Sequence, residues 1–389
     1  MPPGMPNDAL SARVTQQFAA WAARSPEFAI RYARYLRDLS ALWIATLARE
    51  RGGSSSPLVP PDARDRRFAS AAWTSSAYFD HLRQSYLIGS TFLGDLVDAA
   101  ELGEHEKGYL RFVVRQFVDA MAPSNFAATN PDVLQAAVGS SGETLQRGLE
   151  NLLADVRRGR ISIVDEAAFE VGRNLATTAG AVVYENGVMQ LIQYQPITPK
   201  IHARPLLMVP PCINKFYVLD LQPSNSFVRH ALGEGHAVFM VSWRNPTMDQ
   251  SRLRWDDYIA DGVLKGIELT CEVSGAERIN ALGFCVGGTL LTSALSVLAA
   301  RGVRSAKAVA SLTLLATLLD FEDAGEIGHL VDEASVAARE TALGEGGLLS
   351  GIELGMVFSA LRDNDLIWPY VVENYLKGGR PAPFDILYW

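Results

Sequence analysis

Gly283-Phe284-Cys285-Val286-Gly287 places a potential nucleophile between two glycines, with Gly288 directly after. A G-x-nucleophile-x-G run between a strand and a helix forms a sharp, strained turn that lifts the central side chain into the open. The apolar run "RINALGF" before it reads as a strand, and "TLLTSALSVLAARG" after it as a helix closed by Gly302. The flanking glycines leave room for strand and helix to approach. A thiol at Cys285 would face the positive end of that helix, which favours negative charge there. The plainer alternative is a buried cysteine in a glycine-rich turn.

Acyl chemistry at such an elbow needs two N–H groups for the developing oxyanion. One comes from the residue after the nucleophile, Val286. The other comes from the loop after an earlier strand, here "VPPCINK" (209–215). Its best donor is the Ile213 N–H, because the prolines at 210 and 211 offer none. Cys212 reads as a packed bystander and Cys271 as structural. A thiol elbow forms an acyl thioester, close in energy to an incoming acyl thioester. That leans toward acyl transfer, although a cysteine can also serve a hydrolase.

A base is harder to find. In this class of fold the order is nucleophile, acid, histidine. Of the six histidines, at 81, 105, 202, 230, 236 and 329, only His329 follows Cys285. Its setting, "GEIGHLVDE", reads as a solvated helix. Asp320 ends a strand, one strand earlier than the usual acid.

The elements around these residues fall into three stretches. Residues 1–9 are Pro-rich and read as loose, and helical patterns follow to about 160, broken by "GGSSSP" and "APSNFAATNP". Tyr32, Leu36, Leu39, Trp43 and Leu47 share one helix face, expected to pack against other helices, with docking on a lipid or polymer surface as the sharper alternative. "GAVVYENGVMQLIQYQP" reads as a hairpin turning at Asn186-Gly187. From 205 to 317 strands alternate with helices, among them one from Ser224 to Gly233 or Gly235 and one over 255–275, which implies a parallel α/β sheet. The expectation is a helical domain over 1–165, an α/β core over 166–320 and the start of a helical cap over 321–389.

The 389 residues are 48% hydrophobic, enough for a large core, and the net charge of −8 argues against nucleic acid as a partner. Three sparse cysteines read as a reducing cytoplasm. No secretory signal, metal-ligand spacing or phosphate-binding glycine motif stands out, so no metal or cofactor is expected.

"GFCVGGTL", "LLMVPPCINKFYVLDLQP", "GHAVFMVSWRNP" and "WDDYI" together resemble polyhydroxyalkanoate synthases of the class I, short-chain-monomer type. "DRRFASAAW", "DEAAFEVGRNLATTAGAVVYEN", "TLLDFEDAG" and "NDLIWPYVVENYLKGGRPAPFDILYW" are similar too, so the resemblance runs over 10–389. It implies an α/β-hydrolase fold after a helical N-terminal domain. It implies a polymerising acyltransferase acting on (R)-3-hydroxyacyl-CoA, with Cys285 as nucleophile and Val286 and Ile213 as oxyanion amides. A homodimer at the surface of cytoplasmic polyester granules is implied as well. In that family the Asp and His lie beyond the point matching Trp389, so the chain reads as incomplete at its C-terminus. Alone it is then expected to show no measurable polymerase activity and, with a bare sheet edge, to be prone to aggregate. A cysteine-elbow thioesterase or hydrolase, and an inactive granule-binding fragment, are the alternatives.

Overall fold

A computed structural model describes residues 8–53, 56–213, 215–302, 307–331, 333–344 and 346–388. The Pro-rich start over 1–7, two serines of the "GGSSSP" segment and Trp389 lie outside them. The chain divides into two compact units, one comprising 1–163, 325–338 and 352–381, the other 164–324, 339–351 and 382–389.

The first unit is built on helices α1 (Asp8–Ala22), α2 (Pro26–Glu50), α3 (Ala77–Ala99), α4 (Glu104–Ala120), α5 (Pro131–Gly139) and α6 (Glu143–Arg158). Ser25 caps α2 by accepting from the Phe28 N–H, with Pro26 at the first position. The break before α5 follows from Asn130, whose side-chain oxygen accepts from the Asp132 and Val133 N–H groups. Buried Arg83 is satisfied by Asp80 at 2.8 Å and by the Val59 carbonyl, so its charge carries no unpaired desolvation cost.

The expectation for the stripe Tyr32, Leu36, Leu39, Trp43 and Leu47 holds in part. The Tyr32 ring lies 6.2 Å from that of Phe92 and Trp43 meets His81 edge-on at 5.5 Å, both on α3, yet Tyr32, Leu36, Trp43 and Leu47 stay 40–57% exposed. α2 meets α3 most closely along the adjoining residues. There Leu42 is buried, Tyr35 stacks on Phe92 with centroids 4.5 Å apart, and Arg49 pairs with Asp80 at 2.9 Å. Aromatic stacking and a half-buried ion pair set the rotation of the helix, which the apolar spacing alone did not reveal.

The second unit holds a six-stranded sheet: β1 (Gly180–Glu185), β2 (Met189–Tyr194), β3 (Leu206–Val209), β4 (Val238–Trp243), β5 (Ile279–Phe284) and β6 (Val309–Leu315). The order is β1-β2-β4-β3-β5-β6. β3 to β6 are mutually parallel, and the β1–β2 hairpin joins antiparallel through β2–β4. The Asn186 side chain turns the hairpin by accepting from the Val188 and Met189 N–H groups, each at 2.8 Å. Central strands β3 and β4 bury Leu207, Met208, Phe239 and Met240 completely, as strands covered on both faces must. β6 pairs only with β5 among the described residues, and Leu312 at its centre is exposed.

Three crossover helices follow the strands: α7 (Phe227–Gly233), α8 (Lys265–Ser274) and α9 (Val286–Ala300). Ser226 caps α7, and Gly275 and Gly302 follow α8 and α9 at φ +70° and +61°. The segment expected as one helix over 255–275 is not uniform: 258–264 winds as a π-helix before α8. Its cause is packing. The Trp243 indole lies so close to the Gly262 backbone that any side chain there would collide. Wider winding places a glycine against the ring.

Candidate active site

Cys285 sits between β5 and α9 at φ +53°, ψ −129°, a conformation that costs a non-glycine residue energy. The surroundings impose it. The Cys285 N–H donates to the Leu315 carbonyl of β6 at 2.8 Å, extending the sheet ladder by one residue. The Cys285 carbonyl then accepts from the Gly288 N–H at 2.8 Å, which starts the helix within one turn. The backbone therefore reverses at a single residue, and the half-exposed thiol stands at its apex.

Each elbow glycine has its own steric reason. A Cβ on Gly283 would strike the Gly288 backbone, so strand and helix touch there. A Cβ on Gly287 would strike the Val209 and Pro210 carbonyl oxygens, so the first turn of α9 lies against the end of β3. A Cβ on Gly288 would strike the Thr317 side chain. The turn after β6 grips the helix further through Thr289 Oγ1, which donates to the Leu318 carbonyl at 2.9 Å.

Contact at Gly287 also sets the start of α9 against the residues that lead into the Ile213 loop. Val286 is the first residue of α9, and Ile213 lies in the turn beyond β3, four residues past Val209. Neither N–H has a hydrogen-bond acceptor among the described residues, as expected of a first helical turn and an open loop. The Ile213 loop is pinned from beneath, where the Trp243 indole N–H donates to the buried Pro210 carbonyl at 2.7 Å. Sequence inspection missed Trp243, Gly262 and Thr317 as supports. A tryptophan at the exit end of a predicted strand was the available signal. Trp243→Phe removes that donor and strands a buried carbonyl. It is expected to lower stability by about 1–2 kcal/mol, read as a shifted urea midpoint with unchanged slope.

Cys212, in the same loop, packs on the core beneath the sheet, and burial pushes its thiol up, with the neighbouring Cys285 charge acting in the same direction. Cys271 in α8 is raised by burial alone.

No histidine forms a hydrogen bond to the Cys285 thiol among the described residues. His202 and His236 adjoin each other at the entry ends of β3 and β4, with ring centroids 4.9 Å apart, whereas Cys285 lies at the exit end of β5. His329 belongs to the other compact unit. It is not the solvated helix residue expected: it is half-buried in a short 3₁₀ turn, its ring pressed against Gly108, and burial and then His105 hold it below the usual imidazole range. Asp320 is exposed, and its carboxylate accepts from the Glu322 N–H within its own loop. Among the described residues no group of three or more His, Cys, Asp or Glu could hold a metal, and no helix is long and apolar enough to cross a membrane.

A parallel sheet with crossover helices and a side chain raised at a glycine-flanked, positive-φ turn defines the α/β-hydrolase class, and residues 205–389 match that fold's family model. Residues 64–231 match the N-terminal region of poly-beta-hydroxybutyrate polymerase (PhaC). Three relatives carry the name poly(3-hydroxyalkanoate) polymerase. The protein from Cupriavidus necator is 51% identical over 92% of this chain and 60% of its own length. Those from Methylorubrum extorquens and Rhizobium etli are 39% and 40% identical over 98% and 90% of this chain, and over 64% and 56% of their own lengths. The chain belongs to the poly(3-hydroxyalkanoate) polymerase family, and it spans less than two thirds of the length of these relatives.

Proposed function

We propose that this chain carries the acyl-loading part of a class I polymerase that transfers (R)-3-hydroxyacyl groups from CoA thioesters to a growing polyester. Cys285 attacks the thioester carbonyl. The Val286 and Ile213 N–H groups bind the oxyanion. CoA leaves as its thiol, and the acyl group remains on Cys285 as a thioester. Because the new bond has the same type as the one broken, loading is near balance, and the acyl group stays reactive toward the next hydroxyl. Work as a homodimer at the surface of cytoplasmic granules belongs to the same reading, as does the three-part division into helical domain, catalytic core and cap.

One observation carries it: a thiol held at a positive-φ elbow at the start of a helix, in a chain half identical to a polymerase.

The test is product analysis after incubation with (R)-3-hydroxybutyryl-CoA. The expected result is one CoA released per chain, with hydroxybutyryl units attached to Cys285 and no continuous turnover. Free 3-hydroxybutyrate matching the CoA would make the chain a hydrolase instead. No adduct, together with co-sedimentation on polyester granules, would make it a binding fragment.

A further inference from the structure

The proposed reaction uses only one of the two thiols gathered at the exit ends of β3 and β5. These strands are parallel neighbours, with Val209 opposite Gly283. Cys212 follows Val209 by three residues, and Cys285 follows Gly283 by two. The chains do not diverge beyond the sheet. The first turn of α9 rests on the Val209 and Pro210 carbonyls, and Trp243 fixes Pro210 at 2.7 Å. Both cysteines are free and half-buried, and both belong to the same compact unit. The charge of Cys285 reaches Cys212, whereas Cys271 feels no such influence.

We propose that Cys212 is a resolving cysteine for Cys285: in the presence of hydrogen peroxide the two close an intramolecular disulfide that caps the elbow thiol reversibly. The chemistry balances in two steps. The Cys285 thiolate attacks one peroxide oxygen and becomes a sulfenic acid, while the other oxygen leaves and is protonated to water. The Cys212 sulfur then attacks the Cys285 sulfur. The S–S bond forms, the sulfenic oxygen leaves as a second water, and the Cys212 proton goes with it. Two thiols are oxidised and one hydrogen peroxide is reduced to two waters. The order follows from the setting. Cys285 stands half-exposed at a helix start, while Cys212 is packed on the core. Once Cys285 is an uncharged sulfenic acid, its repulsion of a thiolate at Cys212 is gone. Such a cap would spare the thiol from irreversible sulfinic acid.

The test is non-reducing peptide mapping of the whole chain after treatment with hydrogen peroxide. The expected product is a peptide pair joined through Cys212 and Cys285. Alkylation of Cys285 should fall about tenfold and return with dithiothreitol. In Cys212→Ser, Cys285 should instead pass to sulfinic and sulfonic acids that dithiothreitol does not reverse. Overoxidation of Cys285 in the parent at the rate seen in Cys212→Ser would overturn the proposal. So would a cross-link running to Cys271. If Cys212→Ser failed to fold, the cross-linked peptide in the parent would still decide. No acyl-CoA is involved, so this result and the acyl-transfer reading can fail separately.

Discussion

Replacing Cys285 by glycine is expected to abolish acyl loading and, at the same time, to stabilise the protein by about 1 kcal/mol. The two effects share a cause. At φ +53°, ψ −129° the residue lies where a side chain is disfavoured and glycine is not. The Leu315 carbonyl above and the start of α9 below hold the backbone there whatever the side chain. A structural cysteine has no reason to occupy such a position, but a nucleophile that must stand clear of the sheet does. Intact mass after incubation with 3-hydroxybutyryl-CoA measures the first effect, and urea denaturation the second. A Cys285→Gly protein that still forms the adduct would remove Cys285 from the chemistry. One that unfolds more easily would show that the thiol contributes packing instead.

The opposite outcome is expected two residues along. Gly287→Ala should destabilise the protein by about 3 kcal/mol or more and slow loading in whatever remains folded. Alanine favours a helix over glycine by about 1 kcal/mol, so propensity alone predicts a gain. The steric term wins because the added methyl meets two backbone carbonyls, Val209 and Pro210, which cannot move without displacing the Ile213 loop. Gly288→Ala differs in kind, since its obstacle is the side chain of Thr317. Pairing it with Thr317→Gly should recover much of the lost stability, whereas no single partner change should rescue Gly287→Ala. Urea midpoints of the four proteins decide this. Equal costs at both positions, or rescue at neither, would contradict the close approach described at Gly287.

The sequence by itself determined the strand–elbow–helix order, the Asn186-Gly187 hairpin and the alternation that makes β3 to β6 parallel. Each is written in neighbouring residues: turn chemistry, apolar runs of strand length, and glycines where a helix must stop. The family was legible because long motifs recur in order along the chain. Tertiary structure decided what depends on partners distant in sequence. The stripe through Tyr32 and Trp43 has the right spacing for burial, yet it meets Phe92 and His81 of α3 only along its edge, while Leu42 and Tyr35 turn further inward. The 255–275 segment has a helical period, but the bulk of Trp243 against Gly262 widens its winding. His329 reads as solvated from its charged neighbours, but Gly108, more than two hundred residues earlier, supplies the gap it fills. Cys212 reads as a bystander because nothing near it in sequence is reactive. Only the pairing of β3 with β5, and the absence of a side chain on Gly287, bring its loop beside Cys285. Local sequence sets what a segment can form, whereas which face it buries and which side chains meet are set by contacts that only the folded chain makes.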